Sequence, residues 1–148
     1  MKRKVFTVMA TCCFLALGGA ATAHAQLAGT TLRAMIPFDF SVRGKTLPAG
    51  EYEIKRITMA PDGLIISGVN NREHEIFDTE PVSRWKAPNR GEIIFHRYGD
   101  SYFLSEVFAG GEQAGREVPV SDQEKTLRRE MASNGNKAEP EKVAIAVY

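Results

Sequence analysis

Residues 92–108 read Glu92-Ile93-Ile94-Phe95-His96-Arg97-Tyr98-Gly99-Asp100-Ser101-Tyr102-Phe103-Leu104-Ser105-Glu106-Val107-Phe108. Two β-prone runs are separated here by Gly99-Asp100 alone, and a two-residue loop with glycine first favours a type II′ hairpin turn. The turn sets the register. The expected cross-strand pairs are Tyr98–Ser101, Arg97–Tyr102, His96–Phe103 and Phe95–Leu104.

Side-chain alternation divides the apolar residues of this hairpin between its two faces. One face should carry Ile93, Phe95, Tyr102 and Leu104, and the other should carry Ile94, Tyr98, Phe103 and Val107. A hairpin that is apolar on both faces is expected at the centre of a sheet, covered on each side.

Further alternating segments lie before the hairpin. They predict strands within residues 30–44, with a bend at Pro37, and at residues 52–57 and 64–69. Turn signals recur at residues 44–50, 61–63, 70–71, 89–91 and 99–100. Short strands at this spacing predict an all-β fold, an antiparallel meander of about seven to eight strands that forms a small barrel or a sandwich.

In the C-terminal part of the chain, the strand-like alternation of apolar and polar residues gives way to a helical spacing. Ser121 and Glu124 form a capping-box pattern, in which Ser121 caps the amide three residues on and the Glu124 side chain reaches back. A short helix is therefore expected from Ser121 to about Met131. Residues 132–141 are polar and indicate a flexible link. Residues 143–148 are rich in β-branched side chains and are expected to return to the sheet as a final strand.

The N-terminal segment, residues 1–25, has the pattern of a secretory signal peptide. Residues 1–4 are basic, residues 5–21 are apolar or small, and Ala23-His24-Ala25 fits a cleavage site. A single mature domain, residues 26–148, is expected in the periplasm or outside the cell. Cleavage is preferred over a retained anchor, which needs about 20 apolar residues, and over lipidation of Cys12 or Cys13, which lie within the apolar run.

Cleavage would also change the composition. Cys12 and Cys13 are the 2 cysteines of the chain, so the mature domain would have no disulfide, thiolate metal site or cysteine nucleophile. Loss of Lys2, Arg3 and Lys4 lowers the basic count from 19 to 16 against 18 acidic residues, a net charge of −2. This balance argues against nucleic acid and anionic membranes as partners, and the mature chain has no apolar stretch that could span a bilayer.

Three motifs carry a resemblance to other proteins: Ile36-Pro37-Phe38-Asp39-Phe40, Gly44-Lys45-Thr46-Leu47-Pro48-Ala49-Gly50-Glu51-Tyr52 and Phe95-His96-Arg97-Tyr98-Gly99-Asp100-Ser101-Tyr102-Phe103-Leu104. From about residue 34 to residue 127, the chain resembles a family of small exported β-rich proteins of acidobacterial-type soil bacteria. The resemblance implies a compact β domain. It implies no activity, ligand or catalytic residue, because none is established for that family.

His96 is the first candidate site residue. With Arg97, Tyr98 and Asp100 it brings four polar side chains into five residues, which would suit a small hydrolase that uses His96 with Asp100 or a nearby Glu. The same residues also suit the end of a hairpin, where Arg97 would stack on the cross-strand Tyr102 as a cation–π pair. The structural interpretation is preferred, and no catalytic residue is assigned.

Trp85 and a histidine cluster complete the candidates. An exposed Trp85 between two basic residues would suit sugar binding, but a core position is expected for a lone tryptophan in a small β protein. Residues 73–75, Glu-His-Glu, could join His96 in a two-His, one-carboxylate metal site. Alternation along a strand points His74 away from both glutamates, so no metal is predicted.

Three functions remain open on the sequence. The preferred one is a non-enzymatic binding or envelope-associated structural module without a cofactor, whose partner would be an envelope protein or a glycan. Its candidate binding residues are His96, Arg97, Tyr102 and Trp85. The second is the hydrolase described above. The third is a carrier of an apolar ligand inside a barrel, which needs an unfilled interior. The bulky residues expected to fill that interior are Phe38, Phe40, Phe95, Phe103 and Leu104.

Overall fold

Eleven strands and one helix make up the part of the chain that the computed structural model describes, residues 31–135 and 138–148. The predicted signal peptide, residues 1–25, lies outside the described residues. In chain order the elements are β1 (Leu32–Ile36), β2 (Phe40–Val42), β3 (Lys45–Leu47), β4 (Gly50–Ile57), β5 (Ala60–Gly68), β6 (His74–Asp78), β7 (Glu80–Ser83), β8 (Glu92–Tyr98), β9 (Ser101–Phe108), β10 (Ala114–Glu117), α1 (Asp122–Ser133) and β11 (Glu141–Ala146).

The strands form two open sheets, as in a β-sandwich. The first has the order β1-β4-β5-β6 and the second the order β11-β8-β9-β10-β7, while β2 pairs with β3 and β9. Neither sheet closes on itself, so of the two predicted architectures the chain adopts the sandwich. The runs β4-β5-β6 and β8-β9-β10 are meanders as predicted, whereas Ser41 and Phe103 form a parallel bridge. The strand count exceeds the prediction largely because β3, β7 and β10, of 3 or 4 residues each, are too short to show a periodicity.

The core lies between the two sheets. Its largest buried side chains include Tyr52 of the first sheet and Phe40 and Phe95 of the second. The rings of Phe40 and Tyr52 meet edge to face at 5.2 Å between centroids, and those of Phe40 and Phe95 at 5.3 Å. Burial of each such side chain contributes about 2–3 kcal/mol. Of the residues expected to fill the interior, Phe103 alone lies outside this core, on the opposite face of its sheet.

The hairpin of residues 92–108 has the predicted turn and register. Gly99 has a φ of 60°, as the first central position of a type II′ turn requires. All four predicted cross-strand pairs are present, and β8 and β9 lie inside the second sheet rather than at its edge. One face assignment is wrong, because Val107 pairs with Ile93 and belongs to the core.

A β-bulge at Ser105 causes this difference. Ile94 pairs with Glu106 and Phe95 pairs with Leu104, which leaves Ser105 as an extra residue in β9. Strict alternation would point Glu106 between the sheets, where an unpaired charge costs several kcal/mol. With the bulge, Glu106 lies on the outer face of the sheet, where it is still buried but accepts hydrogen bonds from Lys142 Nζ at 2.6 Å and Arg84 Nη2 at 3.2 Å.

The remaining predicted features are present with small changes. Pro37 lies where the chain leaves the first sheet after β1 and joins the second sheet at β2, so the predicted bend is a change of sheet. The hydroxyl of Ser121 accepts from Glu124 N at 3.2 Å, as the capping pattern predicts, and α1 ends at Ser133 instead of Met131. The final strand, β11, pairs with β8.

Candidate functional site

Four polar side chains form a hydrogen-bonded array on the outer face of the second sheet, and His96 is its centre. His96 Nδ1 lies 2.9 Å from Glu124 Oε1, and His96 Nε2 lies 3.0 Å from Ser105 Oγ. Tyr98 Oη donates a hydrogen bond to the same Glu124 oxygen at 3.0 Å. We call Ser105, His96, Tyr98 and Glu124 the His96 array.

Three elements supply the array. Alternation places His96 and Tyr98 of β8 on the outer face, and Ser105 follows from β9 as a diagonal neighbour of His96. Ser121 fixes the start of α1, and Glu124 in the first turn of that helix is its buried residue. The Glu124 carboxylate, expected to reach back to the cap, bonds to the sheet instead.

The order hydroxyl, imidazole, carboxylate is the one that serine acyl-transfer enzymes use. If Nδ1–H donates to Glu124, Nε2 is free to accept the Ser105 proton. However, Ser105 and Glu124 are each only 3% exposed. A depression of about 480 Å³ beside α1 is lined by Phe103 and Leu127 but by no member of the array. The four groups therefore serve as hydrogen-bond partners for one another, largely shielded from solvent, and hold α1 on the sheet.

The same environment changes the acidity of Tyr98. Burial, followed by the hydrogen bond and negative charge of Glu124, raises the pKa of the Tyr98 phenol. The phenol therefore keeps its proton to a higher pH than an ordinary tyrosine, in agreement with its hydrogen bond to the carboxylate.

The other hairpin candidates have structural contacts. The Arg97 guanidinium lies 5.6 Å from the centre of the Tyr102 ring, which confirms the predicted cation–π pair, and Tyr102 stacks on Phe38 at 3.8 Å between centroids. Asp100 lies exposed in the turn. His96 thus pairs with Glu124 rather than with Asp100.

Trp85 is 98% exposed, so its predicted core position is wrong. β7 ends at Ser83, and the chain bends at Trp85 into a loop outside both sheets. Arg84, not Trp85, packs on the sheet, with its guanidinium 4.0 Å from the centre of the Phe108 ring. Residues 84–91 are called the Trp85 loop below.

The backbone of the Trp85 loop is held by residues 111–113. Arg84 N donates to Gln113 O at 2.9 Å, Gln113 Nε2 donates to Trp85 O at 2.9 Å, and Gly111 N donates to Pro88 O at 2.8 Å. Both halves of the loop are therefore bonded to one short segment. The indole extends into solvent from a backbone that is fixed in place.

The Trp85 loop has three basic side chains, Arg84, Lys86 and Arg90. Arg84 forms ion pairs with Glu92 at 2.9 Å and Glu106 at 3.2 Å. Lys86 and Arg90 are exposed, and within the described residues neither has a carboxylate oxygen within 4.0 Å.

The histidine cluster of residues 73–75 is held by a lysine. Lys45 Nζ lies 3.2 Å from Glu73 Oε2 and 3.9 Å from Glu75 Oε2, and it donates to His74 O at 2.8 Å. These contacts connect β3 to the edge strand β6. In the described ranges, 31–135 and 138–148, no three His, Cys, Asp or Glu residues are grouped so as to hold a metal ion.

Glu124 and Ser105 are the array members that the sequence did not predict. The helix α1 does contain one indication that Glu124 contacts the sheet. Its apolar positions, Leu127 and Met131, are only half-buried, so docking of the helix has to depend on a polar side chain. No corresponding signal marks Ser105.

Comparison with known proteins gives no match to this chain, whether with protein families, curated proteins or solved structures. Across the described part of the chain, no helix combines the length and the apolar character that a membrane span requires.

Proposed function

We propose that this protein is an exported, non-enzymatic module that binds an envelope glycan through the Trp85 loop. The observation that supports this function is the 98% exposure of Trp85. An indole left in water contributes no burial to folding. The fixed backbone beneath it lowers the entropic cost of binding, so the ring is arranged for contact with a partner.

A glycan suits this surface better than a protein does. The C–H face of a sugar ring can pack on the flat, apolar face of an indole, while its hydroxyls hydrogen-bond to polar neighbours. The other exposed residues of the Trp85 loop are Lys86, Asn89 and Arg90, which are all polar. A stable protein interface needs an apolar core within about 800 Å² per partner. The other exposed large apolar side chains of the described residues belong to other segments: Met35, Met59, Val69, Ile76 and Tyr148.

Trp85 is the only tryptophan in the chain, so its fluorescence reports on the proposed site directly. Titration with soluble envelope polysaccharide should shift the emission to shorter wavelength and reduce quenching by acrylamide. Trp85→Ala should abolish co-sedimentation with insoluble envelope polysaccharide. Met59→Ala is the matched control, since Met59 is 95% exposed at another site. An unchanged emission, or equal sedimentation of Trp85→Ala and wild type, would count against the proposal.

A small hydrolase that acts through the His96 array is the second candidate. The distances of 3.0 Å from Ser105 to His96 and 2.9 Å from His96 to Glu124 favour it. In that reaction Ser105 Oγ would attack an ester carbonyl as His96 Nε2 takes its proton, and Glu124 would stabilise the imidazolium. The burial of Ser105 ranks this candidate second.

A covalent probe separates the two functions. A hydrolase should be labelled on Ser105 by a fluorophosphonate and should cleave p-nitrophenyl acetate, and Ser105→Ala should lose both properties. Ser101→Ala is the control, because Ser101 is an exposed serine of the same strand. A folded wild-type protein that shows neither label nor turnover would eliminate the hydrolase.

A further inference from the structure

We infer that the glycan is acidic, and that Lys86 and Arg90 bind its carboxylate groups while Trp85 stacks on a sugar ring. This inference rests on the proposed function and adds the chemistry of the ligand to the same loop.

The basic charge of the Trp85 loop is the evidence for an acidic ligand. Residues 81–91, which include the whole loop, contain three basic side chains and no Asp or Glu. Arg84 is neutralised by its ion pairs with Glu92 and Glu106. Lys142 also pairs with Glu106, so two cations and two carboxylates balance one another there. Lys86 and Arg90 are exposed and have no such partner among the described residues. The supporting segment 111–113 adds one acid, Glu112, and Lys86 and Arg90 then leave a net charge of +1 beside the indole.

This local charge is opposite in sign to the net charge of −2 expected for the mature chain. At physiological ionic strength charges are screened over about 8 Å, so a bound polymer responds to the charges nearest to it. Outside the loop the expected mature chain has 16 − 3 = 13 basic and 18 acidic residues, so the rest of the molecule gives a polyanion no net attraction. The Trp85 loop differs from other exposed cations, such as Arg72 and Arg129, in placing two of them beside an exposed indole.

The two cations suit carboxylates in different ways. A guanidinium such as that of Arg90 can donate two parallel hydrogen bonds to one carboxylate, whereas the Lys86 ammonium acts as a compact point charge. One exposed ion pair contributes only about 0.2–1 kcal/mol, so charge alone would bind weakly. A uronic-acid polymer offers both a ring for Trp85 and a carboxylate on every sugar.

An anionic membrane would also attract Lys86 and Arg90, but it fits the loop less well. Stable attachment to a bilayer requires a substantial apolar surface to be buried among the lipids. Trp85 is the one fully exposed apolar side chain of this loop, since Ala87 and Pro88 are half-buried.

Polygalacturonate and its fully methyl-esterified form test the inference, because they share the ring and the linkage and differ in carboxylate charge. The wild-type protein should bind the acidic polymer about 2 to 30 times more tightly, as two exposed ion pairs allow, and added salt should remove that preference. The double variant Lys86→Gln/Arg90→Gln should bind both polymers equally. Arg72→Gln/Arg129→Gln is the matched control, since it removes two exposed cations elsewhere and should keep the preference.

The outcomes separate the inference from the proposed function. Equal wild-type binding to both polymers, or a preference that survives in Lys86→Gln/Arg90→Gln, would overturn the inference alone. Failure to bind polygalacturonate would also overturn it, whatever the envelope titration gives. If envelope polysaccharide leaves Trp85 emission unchanged as well, the proposed function fails too. Binding only to phosphatidylglycerol vesicles, lost in Trp85→Ala, would replace both with membrane attachment.

Discussion

Glu124 is the residue on which the docking of α1 depends. It is the buried residue of a 12-residue helix that is otherwise exposed or half-buried. A helix with so little apolar burial gains little from hydrophobic packing. Its position on the sheet therefore rests on one carboxylate that accepts hydrogen bonds from both His96 and Tyr98.

Glu124→Ala should lower the free energy of unfolding by about 3 kcal/mol, because the buried Tyr98 and the half-buried His96 lose their shared acceptor. Glu124→Gln should lose less, since an amide oxygen can still accept one of the two hydrogen bonds. The matched control is Glu130→Ala on the exposed side of the same helix, with an expected change below about 0.5 kcal/mol. Urea unfolding measures all three variants. Equal stability of Glu124→Ala and Glu130→Ala would show that α1 docks by other contacts.

Tyr98 should make the fold sensitive to alkaline pH. Burial, then Glu124, raises the pKa of its phenol above the ordinary value of about 10. The folded state keeps this proton where the unfolded chain has lost it, so the contribution to stability is complete below about pH 10 and is lost as the pH rises through the folded-state pKa. In Tyr98→Phe, the free energy of unfolding should fall less steeply above pH 10. Part of the fall should remain, because the pKa values of Tyr52 and Tyr148 are also raised. Superimposable alkaline profiles of variant and wild type would contradict this role.

The contacts of a single residue could be predicted where residues close in the sequence supply them. His96 could be selected as a candidate because polar residues follow it closely, and the Arg97–Tyr102 pair followed from the turn. Glu124 lies 28 residues from His96 and meets it only because α1 folds back over the sheet. For Trp85, the general tendency to bury tryptophan conflicts with the path of the chain, which leaves the sheet after Ser83.

At the scale of the strands, periodicity predicts the hairpin correctly up to the bulge and fails beyond it. The bulge places Val107 rather than Glu106 in the apolar core, where the Glu106 carboxylate would have no cationic partner, and side-chain alternation alone does not account for that cost. The neighbouring strand β10 packs so closely on β9 that one position requires glycine, and the alternation pattern does not predict this either. A Cβ on Gly115 would lie 2.5 Å from the Phe108 ring and 2.8 Å from Val107 O, so only glycine allows this close approach.

Gly115→Ala should destabilise the fold by about 2–3 kcal/mol, because the added methyl group would meet a buried ring and a backbone oxygen that cannot both move. Ala114→Ser is the control at the adjacent, exposed position of β10 and should change stability by less than about 0.5 kcal/mol. Thermal unfolding of the two variants measures the difference. A Gly115→Ala protein that melts with the control would mean that β9 and β10 can separate at low cost.

Across the whole molecule, polar contacts tie the two sheets together at their open sides. Arg116 of β10 donates to Thr79 Oγ1 at 2.8 Å and to Asp62 Oδ1 at 2.6 Å, at the point where the chain passes from β6 to β7. At the opposite side, Tyr148 N donates to Arg33 O of β1 at 2.9 Å. These contacts take the place of the continuous hydrogen bonding that would close a barrel.

The choice between barrel and sandwich could not be predicted for a related reason. Inward and outward side chains alternate in the same way in both architectures, so the pattern does not reveal whether a sheet closes. Closure depends on pairs that are distant in sequence. The bridge between Ser41 and Phe103 is one such pair, and the local spacing of apolar residues does not predict it.

The filled interior gives a prediction for the intact protein. In native mass spectrometry the purified protein should have the mass of its polypeptide alone, because the rings of Phe40, Tyr52 and Phe95 interlock where a carrier would need a cavity of at least about 300 Å³. Denaturing mass spectrometry of the same sample supplies the reference mass. Phe40→Ala is the positive control, since the void it leaves should take up a small apolar molecule such as benzene. A stoichiometric apolar molecule copurified with the wild-type protein would restore the carrier function that the packing argues against.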